Sequence, residues 1–119
     1  MNSSRTYVLV HGAWHGGWVW KEVSSGLASR GHSVTSPTLT GLGERAHLAT
    51  YGVDLDTHVK DIVQHIQMED LTEVVLLGWS YGGMVVTGVI SIIPERISSV
   101  VYLDALVLFT CIGARRPLA

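Results

Sequence analysis

Residues 74–77, Val-Val-Leu-Leu, are apolar at every position, so any strand they form has two apolar faces. Such a strand needs cover on both sides, as in a parallel sheet packed between helices. Three other segments read as strands beside it. Residues 7–10 (Tyr-Val-Leu-Val) are β-rich and stop at His11-Gly12. Residues 33–36 form a short run before Pro37, and residues 97–103 form a fourth.

Helical patterns alternate with these strands. Trp20, Val23 and Leu27 recur at helical spacing, and Gly31 supplies a C-terminal stop. Leu55, Val59, Ile62, Val63 and Ile66 form an amphipathic stripe, with Asp54 or Asp56 available as its N-cap. His58 and His65 share that helix and are expected at its solvated margin. Residues 81–93 are apolar nearly all round (Met84, Val85, Val86, Val89, Ile90, Ile93), which predicts the most buried helix, ended by Pro94. Residues 38–52 make a long, glycine-dotted loop, a length that is often functional.

The order βαβαβαβ defines an α/β chain, a three-layer α/β/α arrangement around a parallel sheet. Right-handed crossovers favour the spatial order second, first, third, fourth strand. That order creates a switch point between the first and third strands, where ligands bind at the carboxyl ends. The loops after Val10 and after Leu77 both open there.

Composition sets the remaining bounds. A chain of 119 residues, 47% apolar and 15% charged, suits one packed domain. The net charge of -2 comes without a basic stripe, which argues against nucleic acid as a partner. No run is long enough to span a bilayer, and the first residues lack a signal-peptide core. A single cysteine, Cys111, makes no internal disulfide and suits a reducing compartment, so a cytoplasmic location is expected.

The chemistry points to Gly78-Trp79-Ser80-Tyr81-Gly82. The bare pattern G-x-S-x-G is weak, but here an apolar strand precedes it and a long apolar helix follows. A sharp turn at that junction projects the serine above the sheet, and small flanking residues let the backbone fold back. The competing reading is a tight turn with a capping serine. The helix that follows leaves N–H groups unpaired and favours negative charge, so the Tyr81 N–H is a natural oxyanion donor. His11-Gly12-Ala13-Trp14 follows the first strand, where a second donor is expected, and Ala13 is the candidate. An ordinary strand-to-helix loop is the plainer alternative.

Two other patterns carry less. Gly41-Leu42-Gly43-Glu44-Arg45-Ala46 imitates a dinucleotide fingerprint but lies well past its strand and opens no clear helix. His11 and His15 have a zinc-like spacing, yet Gly12 stands where a zinc protease carries glutamate, and no third ligand is evident. No metal and no cofactor are therefore expected.

Three motifs in order, His11 to Trp18, Pro37 to Arg45 and Gly78 to Met84, together resemble the esterase and hydroxynitrile-lyase branch of the α/β-hydrolase superfamily. That branch includes plant methyl-ester esterases and pyrethroid-hydrolase-like carboxylesterases. The resemblance covers residues 6–105. It implies that Ser80 is a nucleophile, that the Ala13 and Tyr81 amides form the oxyanion hole, and that the substrate is a small-molecule ester. Lyases of the branch carry threonine after the first-strand histidine. This chain has Gly12 there, which favours ester hydrolysis. Gly12, Trp14 and Trp79 are candidate pocket residues, and Trp79 stands where relatives often have histidine. The four tryptophans, Trp14, Trp18, Trp20 and Trp79, either pack the core or line an apolar acyl or alcohol site.

The family order is serine, then an acid, then histidine. All six histidines of this chain precede Ser80. Asp104 ends the fourth strand, one strand before the family's acid, and is read as structural. Residues 106–119, with Cys111 and Arg115-Arg116-Pro117, do not look like family sequence. A truncated α/β-hydrolase fold is expected over residues 1–105, followed by an atypical tail from a frameshift or truncation near Leu106. The downstream DNA, read in the other frames, tests this. The fourth strand would then present an exposed edge that invites self-association.

Overall fold

In the computed structural model, which describes residues 4–106, four parallel strands alternate with three α-helices. They are β1 (Thr6–Val10), α1 (Lys21–Ser29), β2 (Ser33–Thr35), α2 (Leu55–Met68), β3 (Val74–Trp79), α3 (Gly82–Ile92) and β4 (Ile97–Leu103). The strand order is β2-β1-β3-β4, as the crossover argument predicts. From β1 the chain moves one way to β2, then back across to β3 and on to β4. Right-handed crossovers therefore put α1 on one face and α2 with α3 on the other. The result is a parallel sheet between helical layers over the described part of the chain.

Side-chain alternation divides the core between the faces. Val8, Val10, Val74 and Leu76 join Val59, Ile62, Ile66, Val85, Val86 and Val89 in one cluster beneath α2 and α3. Leu9 and Val75, of opposite parity, are buried on the α1 side. Both faces of β1 and β3 are therefore dry, which is why these strands read as unbroken apolar runs.

The differences from expectation are local. β3 extends to Trp79 because Gly78 pairs with both Val10 and Tyr102, and Trp79 with Leu103. The long loop contains a 3-10 stretch, Gly43–Leu48. Pro94 opens a 3-10 turn, Pro94–Arg96, directly after α3. Val23 is exposed, because α1 rests over β2, whose residues are themselves at most half-buried. α3 buries Gly82, Gly83, Val85, Val86 and Val89, but Ile92 faces out. Asp54, not Asp56, caps α2: its carboxylate accepts the Thr57 N–H, while the Thr57 hydroxyl accepts the Asp54 N–H.

The main correction concerns the histidines of α2. His58 is buried, and His65 is half-buried with its Nε2 at 2.8 Å from the Thr35 hydroxyl. Neither ring sits at a fully solvated margin. His58 lies three residues after Leu55 and four before Ile62, which places it within the apolar stripe. Its polar atoms find partners there, so the position tolerates a ring nitrogen.

Among the described residues no helix is long and apolar enough to cross a membrane. The tail with Cys111 and Arg115-Arg116 lies outside the described residues.

Candidate active site

The switch point between β1 and β3 gathers the two loops singled out from sequence. Val10 pairs with Gly78, so His11 and Gly12 lie across from Trp79 and Ser80 at the strand ends. A Cβ added to Gly12 would meet the Ser80 Cβ at 3.4 Å and the Trp79 ring at 3.5 Å. The first-strand loop is thus packed directly on the serine.

Ser80 sits at φ +56°, a left-handed conformation that a serine adopts at a cost of about 1–3 kcal/mol. The chain leaves β3 upward and must turn at once into α3. A Cβ on Gly78 would lie 2.6 Å from the Gly82 carbonyl oxygen. One on Gly82 would lie 2.5 Å from the Val10 oxygen and 2.9 Å from the His11 oxygen. These obstacles are backbone atoms, which cannot swing aside. The glycines of the pattern are therefore steric requirements of the turn, and the turn is what lifts Ser80 clear of the sheet.

The Ser80 carbonyl accepts from the Gly83 N–H at 2.9 Å and from the Leu106 N–H at 3.0 Å, while the Ser80 N–H reaches the Leu103 oxygen at 3.3 Å. Among the described residues, neither the Ala13 nor the Tyr81 N–H donates to a backbone acceptor.

The tryptophans separate. Trp20 is buried, and its ring lies edge-on to Trp79, with centroids 6.3 Å apart. His15 packs on Trp79 at 4.7 Å and on Trp18 at 5.9 Å. Trp14 stands away from this cluster, 90% exposed. Trp79 is thus the tryptophan the fold brings against Gly12 and the serine. The Trp20 Nε1 and His15 Nδ1 atoms are buried without a hydrogen-bond partner among the described residues.

Two buried histidines bracket the site, and sequence reasoning gave neither this role. His11, fully buried, accepts the Leu39 N–H at Nε2 (3.0 Å) and meets the Gly12 oxygen at Nδ1 (2.7 Å). A carbonyl only accepts, so the proton is on Nδ1 and Nε2 is bare. Burial holds the His11 pKa below its ordinary value, opposed by the Gly12 hydrogen bond. Both nitrogens are engaged within the protein, so His11 offers no free lone pair to a metal or to Ser80. Among the described residues no three histidine, cysteine or acidic side chains converge to hold a metal ion.

His58 holds the long loop from the other side. Its Nε2 donates to the Thr40 oxygen at 2.8 Å, and its Nδ1 meets the Tyr81 hydroxyl at 2.7 Å. Asp61 accepts the Thr40 N–H and hydroxyl at 2.7 and 2.8 Å. Nearby, the Thr38 hydroxyl accepts the Gly17 N–H and donates to Glu44, whose carboxyl that bond holds below its usual pKa. Arg45 reaches the Thr38 oxygen at 2.9 Å. The stretch that imitates a dinucleotide fingerprint instead holds Thr38 through Glu44 and Arg45, and Thr38 in turn ties this loop to the β1 loop at Gly17. Asp104 stands exposed at the end of β4.

A serine at positive φ between strand and helix, flanked by glycines with no room for a Cβ, has the geometry of a strand-to-helix elbow. Comparison with known proteins agrees with that geometry. The model of the "Alpha/beta hydrolase family" matches residues 7–119, and the chain belongs to that family. It is 52% identical over 101 residues to a carbendazim hydrolyzing esterase of Nocardioides sp. (strain SG-4G), covering 85% of this chain and 42% of that protein. It is 31% identical over 106 residues to an alpha-hydroxynitrile lyase of Arabidopsis thaliana, covering 88% and 41%. Among solved structures, an extracellular alpha/beta-hydrolase from a Paenibacillus species superposes with a TM-score of 0.82 at 34% identity, covering 89% of this chain and 43% of that one. The chain spans about two fifths of the length of these relatives.

Proposed function

We propose that Ser80 is the nucleophile of a carboxylic-ester hydrolase. Its Oγ attacks the ester carbonyl carbon, the carbonyl oxygen takes up negative charge between the Ala13 and Tyr81 amides, and the alcohol leaves with a proton. Water then cleaves the acyl-serine, returning the serine and a free acid. No cofactor takes part. Gly12 and Trp79 border the substrate, a small-molecule ester, while the exposed Trp14 stands apart from them.

The observation that carries this reading is Ser80 at φ +56° between glycines that have no room for a Cβ. An esterase relative at 52% identity supports the bond class. Gly12 supports hydrolysis over cyanohydrin cleavage, because it stands where the lyases of this branch carry threonine.

The base is the weak point of this chain on its own. His11 and His58 have both ring nitrogens occupied, and no histidine follows Ser80. Without a base the serine stays a protonated hydroxyl, and an oxyanion hole alone gives residual catalysis. The expected turnover of the 119-residue chain is therefore near background. That same observation favours a second reading, a non-catalytic fragment that binds a ligand or a partner. Fluorophosphonate labelling separates them. Labelling of wild type but not Ser80→Ala supports an assembled nucleophile, and labelling only after addition of a C-terminal fragment supports complementation. No labelling under either condition leaves the binding fragment.

A further inference from the structure

We propose that His58 and the Tyr81 side chain form a positioning pair that fixes the backbone N–H of Tyr81, tying the oxyanion donor to the long loop at Thr40. The proposal rests on the reading of Ser80 as nucleophile and Tyr81 as oxyanion donor.

The argument begins with strain. A residue held at positive φ stays there when its surroundings over-determine it. Gly82, against the β1 carbonyls, restrains the elbow on its far side. Tyr81 lies between Gly82 and the strained serine, and its own amide is the donor in question. The side chain of this residue does not end in solvent. Its hydroxyl reaches His58 at 2.7 Å, with the two rings nearly perpendicular at 83°.

Proton bookkeeping gives the pair a direction. The Thr40 carbonyl can only accept, so His58 Nε2 carries the proton. In the neutral ring Nδ1 is then bare, and it accepts from the Tyr81 hydroxyl. Burial, aided by the charge of Asp54, holds Tyr81 in the protonated, donating form. The line continues past Thr40, because Asp61 accepts both its N–H and its hydroxyl. His58 and Asp61 are three residues apart on α2, so they share one face and grip the same threonine. A partly buried line of this kind, with each member satisfied, restricts the geometry of the groups in it. Its terminal atom belongs to the residue whose amide must point at the developing oxyanion.

The test uses the 119-residue chain as wild type, Tyr81→Phe, His58→Leu and His58→Gln. Nitrogen shifts of the His58 ring should report the Nε2–H tautomer. The order parameter of the residue-81 amide should be about 0.85 in wild type and fall toward about 0.6 in Tyr81→Phe and His58→Leu, with Val86 in α3 unchanged. Glutamine can accept with its oxygen and donate with its nitrogen, so His58→Gln should restore the wild-type value. Fluorophosphonate labelling of Ser80, with imidazole supplied as external base, should slow about tenfold in the first two variants and recover in the third. Tyr81→Phe deletes a single hydroxyl, so it reports even if His58→Leu does not fold. An unmoved residue-81 amide in Tyr81→Phe would overturn the proposal. Equal labelling of all variants with an unmoved amide would remove the positioning pair and keep the nucleophile. An amide that responds as expected in a chain never labelled at Ser80 would remove the nucleophile and keep the pair.

Discussion

Gly82→Ala and Gly26→Ala make the same chemical change in two helices, and the structure gives them opposite signs. At Gly26 in α1 the nearest atom to an added Cβ is Arg30 Nη1 at 3.6 Å, an ordinary contact with a flexible side chain. Alanine there removes the entropic cost of a helical glycine and should stabilise by about 0.5–1 kcal/mol. At Gly82 the added Cβ lies 2.5 Å from the Val10 oxygen, 2.9 Å from the His11 oxygen and 3.1 Å from the Val10 carbon. All three are backbone atoms of β1 and its loop, and β1 is hydrogen-bonded on both sides. Either α3 or the strand must move, at an overpacking cost of about 1–3 kcal/mol. The helical gain offsets less than about 1 kcal/mol of that at the first helical position. The net expectation is a loss of about 1–2 kcal/mol. Urea unfolding followed by tryptophan fluorescence measures both variants. With a slope of about 1–3 kcal/mol per molar, Gly82→Ala should lower the midpoint by about 0.3–2 M and Gly26→Ala should raise it. Equal midpoints for Gly82→Ala and wild type would refute the claim that sterics, not chemistry, dictate the elbow glycines.

Other predictions follow from the same geometry. Ser80→Ala should abolish any fluorophosphonate labelling while shifting the urea midpoint little, since alanine meets the same φ. Brisk hydrolysis of a p-nitrophenyl ester by wild type, lost in Ser80→Ala, would overturn the expectation of near-background turnover. His11→Ala should destabilise by about 2–4 kcal/mol, because it opens a cavity and orphans the buried Leu39 N–H; an unchanged midpoint would contradict the assigned hydrogen bond. Burial lowers the pKa of His11 and of His65 from the ordinary value of 6.5. The unfolded chain therefore binds more protons just below that value, and stability should be full above pH 6.5 and fall as the pH drops toward the folded values. A midpoint flat from pH 7.5 to 5.5 would count against this. On β4, the exposed Val101 lies on an edge strand, so Val101→Lys should reduce light scattering if that edge drives self-association.

How much of this was legible in the sequence depends on how far each signal travels along the chain. The strands and helices were legible, because apolar periodicity is local and β1 and β3 are dry on both faces. The strand order followed from handedness. The elbow was legible for a different reason. Its glycines answer to obstacles only a few residues away, Gly78 to Gly82 and Val86, so a five-residue pattern carries the requirement. Its outer neighbours did not announce themselves that way. Trp14 and Trp79 both stand near strand ends in the sequence, yet only Trp79 turns toward Gly12, a choice made by ring packing with His15 and Trp20.

The buried histidines show where local reading stops and what could extend it. A polar residue on an apolar stripe is either an error of phase or a buried group with a partner, and sequence spacing cannot say which. For His58 the partners are Thr40 and Tyr81, 18 and 23 residues away, and for His11 the partner at Nε2 is Leu39, 28 residues away. The stripe itself held the clue, since His58 keeps phase with Leu55 and Ile62. Its consequence is physical. A buried imidazole must have its proton placed by its acceptors, and at His58 the Thr40 carbonyl places it. The elbow supplies the serine and its exposure, but the orientation of the amide beside it is held from α2, through a histidine that sequence reasoning assigned to solvent.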